Sequence, residues 1–166
     1  MPLLWSGEGV VTPLPKKWWL EELLQNQDEY HAVVVATDKH TEKVVGLMCL
    51  RATYTEQHDI VRQYATDVFN KLKPVLPPTH KGQQAGHNSV LISFFYLNPA
   101  YDNCSGQFVP HAFERFPFAE YCLMHLPHEN PVHPLLHDFA YVPIKKLQPS
   151  NLQGERLPLP EGLYLC

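Results

Sequence analysis

Between residues 17 and 27 the apolar residues Trp19, Leu20, Leu23 and Leu24 recur at helical spacing, separated by Glu21, Glu22 and Gln25 and preceded by Pro15. That pattern predicts a short amphipathic helix. The β-branched run Val33-Val34-Val35, a polar stretch over residues 38–42 and an apolar stretch over residues 44–50 predict a hairpin of two strands, at 30–37 and 44–50. Over residues 56–73 the side chains of Ile60, Val61, Tyr64, Ala65, Val68, Phe69 and Leu72 fall on one helical face, and Pro74 closes the helix because the residue before a proline is pushed out of the helical region. Residues 89–97, Ser-Val-Leu-Ile-Ser-Phe-Phe-Tyr-Leu, are apolar almost throughout, as in a strand buried on both faces at the centre of a sheet. A helix over 107–116, a strand over 120–126, a short helix near 135–139 and strands over 141–144 and 163–165 complete the order α-β-β-α-β-α-β-α-β-β. The fold class is therefore α/β, in the α+β sense of a mixed sheet with helices packed on it.

A chain of 166 residues, 45% of them hydrophobic, has the length for one domain with one core. Its 16 prolines gather at 74–78, 127–134 and 143–160, where they mark loops and element ends and form no repeat. No run approaches the ~20 apolar residues of a membrane span, and the first residues lack the basic region and apolar run of a signal peptide, so a cytoplasmic protein with no membrane partner is expected. Net charge is −4, and the 13 Lys and Arg residues form no block longer than the pairs Lys16-Lys17 and Lys145-Lys146, which leaves no footprint for nucleic acid. Cys49, Cys104, Cys122 and Cys166 lie far apart without paired spacing, which argues against a disulfide framework or a zinc finger and predicts reduced thiols.

A hairpin, a central strand, a helix, a strand, a helix and a closing strand pair is the order of the GNAT acetyltransferase superfamily from its second helix onward. Tyr96-Leu97-Asn98-Pro99-Ala100-Tyr101 resembles that fold's fourth strand entering the acyl-CoA loop. Two blocks more specifically resemble the acetyltransferase-like N-terminal region of the cilia- and flagella-associated protein 61 family, axonemal components of the calmodulin- and spoke-associated complex at the base of a radial spoke. The first block is Trp19-Leu20-Glu21-Glu22-Leu23-Leu24 with Gln27-Asp28-Glu29, His31-Ala32-Val33-Val34 and Val45-Gly46-Leu47-Met48. The second is Phe113, Phe116, Tyr121-Cys122, Leu126-Pro127-His128, Pro131, Leu135, Phe139 and Val142-Pro143, where a helix, a Tyr-Cys strand and a Leu-Pro-His turn follow in the same order and spacing. The resemblance implies a degenerate GNAT-like domain over residues 17–166 with a loop insertion at 74–88, preceded by an irregular segment at 1–16 that cannot supply the fold's first strand and helix. The strand at 30–37 would then lie at an uncovered sheet edge. It further implies a non-catalytic interaction or scaffold role, other axonemal and radial-spoke proteins as partners, and a place in the cytoskeleton of a cilium or flagellum.

Catalysis by such a fold needs a cradle for the acyl-CoA pyrophosphate, built from backbone N–H groups at a helix N-terminus with glycines that let the backbone approach. Where the family pattern is Gln/Arg-x-x-Gly-x-Gly/Ala, this sequence has Asp102, Ser105 and Gln107, and Gly106 falls one place off. A carboxylate repels phosphate and both glycine sites carry side chains, so acetyl-CoA is not expected as a cofactor and no catalytic residue is assigned. Under the alternative function, an acyl-CoA-dependent N-acetyltransferase, the cofactor would meet Leu97, Asn103, Gly106 and Gln107. His137, which by counting from Asn130 stands where the resemblance places a tyrosine donor, would then act as the acid. The simpler reading of His137 is a surface histidine on a proline-flanked turn. His125, His128, His133 and His137 are close enough in sequence to raise a metal site, but Pro127, Pro131 and Pro134 break the segment and no cysteine or carboxylate completes a set. Solvated loop histidines and no metal are expected. Phe94, Phe95, Tyr96, Phe108, Phe113, Phe116 and Phe118 read as core. Trp5, Trp18 and Trp19 read first as packing residues, although of the adjacent Trp18 and Trp19 only one can face inward, and the outward one is a candidate for an interface.

Overall fold

A computed structural model describes residues 17–53, 60, 63–64, 88–127, 130, 132–145 and 162–166. The irregular segment at 1–16 with Trp5, most of the helix at 56–73, the loop at 74–87 and His128 lie outside the described residues. Helix α1 (Lys17–Gln25) leads into the hairpin of β1 (His31–Thr37) and β2 (Val44–Ala52). Strand β3 (Ser89–Leu97) passes through a 3-10 segment, Pro99–Gln107, directly into α2 (Phe108–Arg115). Then come β4 (Tyr121–Leu126), a 3-10 turn at Pro134–Asp138, β5 (Ala140–Val142) and β6 (Gly162–Leu165). The strands form one six-stranded mixed sheet in the order β1-β2-β3-β4-β6-β5, antiparallel except for β3 and β4. The molecule is thus a mixed α/β fold with the apolar strand 89–97 inside the sheet. Among the described residues no helix is long and apolar enough to cross a membrane.

Alternation along the strands sorts the core into two layers. On one face Met48, Leu50, Val90, Ile92, Phe95, Leu97, Cys122 and Met124 pack with Phe108, Ala112 and Phe116, and with Leu135, Leu136 and Phe139 around the later turn. On the other, Leu47, Cys49 and Phe94 pack with Leu23, Trp19 and Leu20 of α1, while Leu91, Leu123 and Leu163 meet Ile60 and Tyr64, four residues apart on the predicted helical face. Trp19 is the inward tryptophan, and Trp18 is 59% exposed. Leu24, which spacing places on the buried stripe, is 43% exposed, because the sheet meets only the arc of Trp19, Leu20 and Leu23. The strand predicted over 141–144 stops at Val142: Pro143 has no N–H to extend the ladder, and Ile144 makes an isolated bridge to Tyr64 instead.

Two irregularities shape the middle of the sheet. Cys49 pairs with Phe94 and Leu50 with Ile92, so Ser93 is an extra residue in β3, a β-bulge whose hydroxyl donates to the Cys49 carbonyl at 3.2 Å. The parallel ladder between β3 and β4 ends at the adjacent step, Ile92 with Met124, beyond which β3 stays paired only with β2 and β4 only with β6. The C-terminal end of a parallel pair that parts in this way is where an α/β sheet opens a crevice. At the sheet's edge, β1 has side chains on its outward backbone groups. Asp28 Oδ1 accepts from the N–H groups of Tyr30 and His31 at 2.8 and 2.7 Å, and Gln27 Oε1 accepts from Val33 N–H at 2.9 Å. Further along the same edge Val35 is 46% exposed.

Candidate functional site

The residues named for the cofactor lie along the chain at the junction where β3 becomes the 3-10 segment. Asn98, in an extended conformation before Pro99, sets the junction up: its Oδ1 accepts from Ala100 N–H at 3.0 Å and its carbonyl from Tyr101 N–H at 2.8 Å. Its own N–H donates to the Val45 carbonyl at 2.8 Å, which ties the junction to β2. At the other end Phe108 N–H donates back to the Ser105 and Gly106 carbonyls, so the 3-10 segment feeds α2 without opening a fresh helix start. The amides of Ala100, Tyr101 and Phe108 therefore all have acceptors within the chain, and Pro99 and Pro110 have no N–H to offer.

The residues named for the cofactor do not gather around one point. Leu97 is 1% exposed in the core, whereas Asn103, Gly106 and Gln107 are on the surface. A Cβ added at Gly106 would meet nothing within 4 Å, so no close approach requires glycine there. Ser105 is buried. Asp102, expected to face a phosphate site, instead turns Oδ1 toward His133 Nε2 at 3.5 Å.

His133 corrects the expectation of a solvated loop histidine, since its side chain is only 10% exposed. It caps the turn at Pro134–Asp138, Nδ1 accepting from Leu135 N–H at 3.0 Å, and its ring meets Phe95 edge-to-face with centroids 5.2 Å apart. That hydrogen bond assigns the proton to Nε2, which points at the Asp102 carboxylate. The 3.5 Å separation is too long for a hydrogen bond but short enough for attraction between the pair. Burial pushes the His133 pKa below its ordinary value; Asp102 opposes the shift and His137 adds slightly to it. In a histidine that shuttles protons, one ring nitrogen faces a carboxylate and the other faces substrate. Here the second nitrogen holds a backbone N–H, so the pair acts as a strut between the two 3-10 segments.

A second strut joins the junction to the hairpin. Tyr101 donates its hydroxyl to Asp38 Oδ2 at 2.5 Å, while Asp38 Oδ1 accepts from His40 N–H at 2.9 Å, Thr41 N–H at 2.7 Å and the Thr41 hydroxyl at 2.9 Å. The Tyr101 hydroxyl, followed by the two groups of Thr41 and the His40 amide, holds the Asp38 carboxyl down at about 2, and Asp38 in turn raises the Tyr101 phenol.

His137 is exposed on its turn, and His125 is half-buried with its ring edge-on to Tyr64 at 5.7 Å. Among the described residues no three His, Cys, Asp or Glu side chains are grouped so as to hold a metal ion. Sequence reasoning missed the capping role of His133 and the anchoring role of Asp38. Both carried a signal: His133-Pro134 is an acceptor just before a proline at the first helical position, and Asp38 opens a polar turn between two strands. Nothing in the sequence paired Asp102 with His133. No family model matches the chain, and no curated protein matches it.

Proposed function

We propose that the chain is a non-catalytic, GNAT-like interaction domain of an axonemal protein, helping to assemble or anchor a radial spoke in a motile cilium. The observation that carries the non-catalytic half is the junction at residues 98–108. A pyrophosphate cradle needs amides directed outward, and those of Ala100, Tyr101 and Phe108 here are directed to acceptors in the chain. Support for the GNAT-like half comes from the element order, and from a mixed sheet whose parallel pair parts at its C-terminal end. The ciliary half rests on the two sequence blocks that resemble the cilia- and flagella-associated protein 61 family.

The same parting of β3 and β4 favours the second reading, an acyl-CoA-dependent N-acetyltransferase, for which Leu97, Asn103, Gly106, Gln107 and His137 would have to converge on one ligand. Titration calorimetry with acetyl-CoA separates the two: no measurable heat is expected, and a low-micromolar Kd abolished by excess CoA would overturn the non-catalytic reading. For the ciliary half, saturable co-sedimentation with salt-extracted axonemes is expected, and recovery entirely in the supernatant would overturn it.

A further inference from the structure

Cys122 and Cys166 stand directly opposite each other at the junction of β4 and β6. Leu123 pairs with Leu165, and one step outward Cys122 N–H donates to the Cys166 carbonyl while Cys166 N–H donates to the Cys122 carbonyl, each at 2.9 Å. Reciprocal bonds of this kind define a hydrogen-bonded antiparallel pair, with Cα atoms about 5.5 Å apart and both side chains on the same face of the sheet. The packing agrees: Cys122 lies in the core layer beneath α2, and Cys166 packs against that same cluster. Cys122 is fully buried, whereas Cys166 is partly exposed, so Cys166 is the member of the pair nearer solvent. None of the four cysteines is in a disulfide in this structure.

We propose that Cys122 and Cys166 form a thiol–disulfide exchange site, closed by a low-molecular-weight disulfide such as glutathione disulfide into a cross-strand bridge between β4 and β6. The Cys166 thiolate attacks one sulfur of glutathione disulfide, whose S–S bond breaks, and the departing glutathione thiolate takes up the proton that Cys166 gave up. Cys122 then loses its proton and attacks Cys166 Sγ in the mixed disulfide, expelling the second glutathione as a thiol. Two protein thiols are oxidised and one glutathione disulfide is reduced to two thiols, with no other reactant. Burial, with Cys166 beside it, raises the Cys122 pKa, so the second step is the slow one.

Directly opposed residues hold their Cβ atoms about 4.5–5.5 Å apart, at the wide end for a hydrogen-bonded pair, whereas a relaxed disulfide wants about 3.5–4.5 Å. Closure therefore draws the strands together, and the resulting bond is readily reduced. Four-residue β6 is held between β4 and β5, so the bridge would pin the element joining β5 to the rest of the sheet.

The test incubates the whole chain with glutathione disulfide, alkylates remaining thiols, and measures intact mass and non-reduced peptide maps. The expected product has lost two hydrogens, links Cys122 to Cys166, and shows slower amide exchange at residues 163–165, reversed by dithiothreitol. Cys166→Ser, a change at a partly exposed position, abolishes the product, and Cys104→Ser leaves it unchanged. Cys122→Ala provides the same loss from the other side and traps a glutathione adduct on Cys166. A stable glutathione adduct on Cys166 of the unsubstituted chain, a bridge that includes Cys104, or no change in mass would each overturn the proposal.

Discussion

At the scale of single residues, His133 and Gly46 are the positions at which the fold is most exposed to change. The folded pKa of His133 lies below its ordinary 6.5, so the unfolded chain binds more protons in the window from about 6.5 down to that lowered value. The stability that His133 contributes is present above this window and is lost as the pH falls through it. His133→Asn keeps an acceptor for Leu135 N–H and removes the titration; urea midpoints at about pH 7.5 and about pH 5.5 should differ less in the variant than in the parent chain, and equal differences would refute this. Gly46 admits no side chain, since a Cβ there would lie 2.8 Å from both Leu97 Cδ1 and Phe108 Cζ and 3.2 Å from the Tyr96 carbonyl oxygen. Gly46→Ala should destabilise by about 1–3 kcal/mol in chemical denaturation, the usual range for overpacking. A destabilisation under half that would mean Leu97 and Phe108 can shift. The sequence offered Gly46 only as part of an apolar strand, because whether a glycine is required depends on which helix crosses it.

At the scale of elements, capping chemistry explains what could be read and what could not. The strands at 30–37, 44–50 and 89–97 follow from composition and alternation, and the structure places them within a residue or two of those bounds. The 3-10 character of Pro99–Gln107 was not legible, since Asn98-Pro99 announces a helical start but not the tightness of the turns that follow. Nor did the spacing of Asp38 and Tyr101, 63 residues apart, hint that the hairpin loop is anchored to that segment. Tyr101→Phe should return the Asp38 carboxyl toward its ordinary 3.8 from about 2. Asp38 stabilises the fold above the ordinary value and loses that effect as the pH falls toward 2, so in the variant the window narrows and the loss is smaller and complete at higher pH. Side-chain carboxyl shifts followed by NMR measure the change directly, and an unmoved Asp38 titration would show that the Thr41 and His40 donors suffice. Amide exchange over residues 38–43 should quicken in the same variant.

At the scale of the molecule, the two-layer core was legible in outline and the exposed edge only in part. Gln27 and Asp28 cover the first outward amides of β1, a device the sequence did not announce, and the exposed Val35 beyond them marks where another strand could pair. Val35→Lys should lower concentration-dependent self-association in light scattering while leaving the melting temperature within about a degree or two, as a surface change far from special features does; unchanged association would place the sticky surface elsewhere. The bulge at Ser93 has the widest reach. Before it the even-numbered Val90 and Ile92 face α2, and after it the odd-numbered Phe95 and Leu97 do. The strand in effect changes reading frame halfway along, which uniform hydrophobicity hides from any count of alternation. Loss of the single residue Ser93 would bring Ile92 and Phe94 opposite Leu50 and Cys49 in an unbroken ladder, leaving Phe95 and Leu97 on the α2 face and Phe94 on the α1 face. Chain length is therefore more tolerant of change at this position than elsewhere in the strand, where one residue more or less would flip the side chains beyond it.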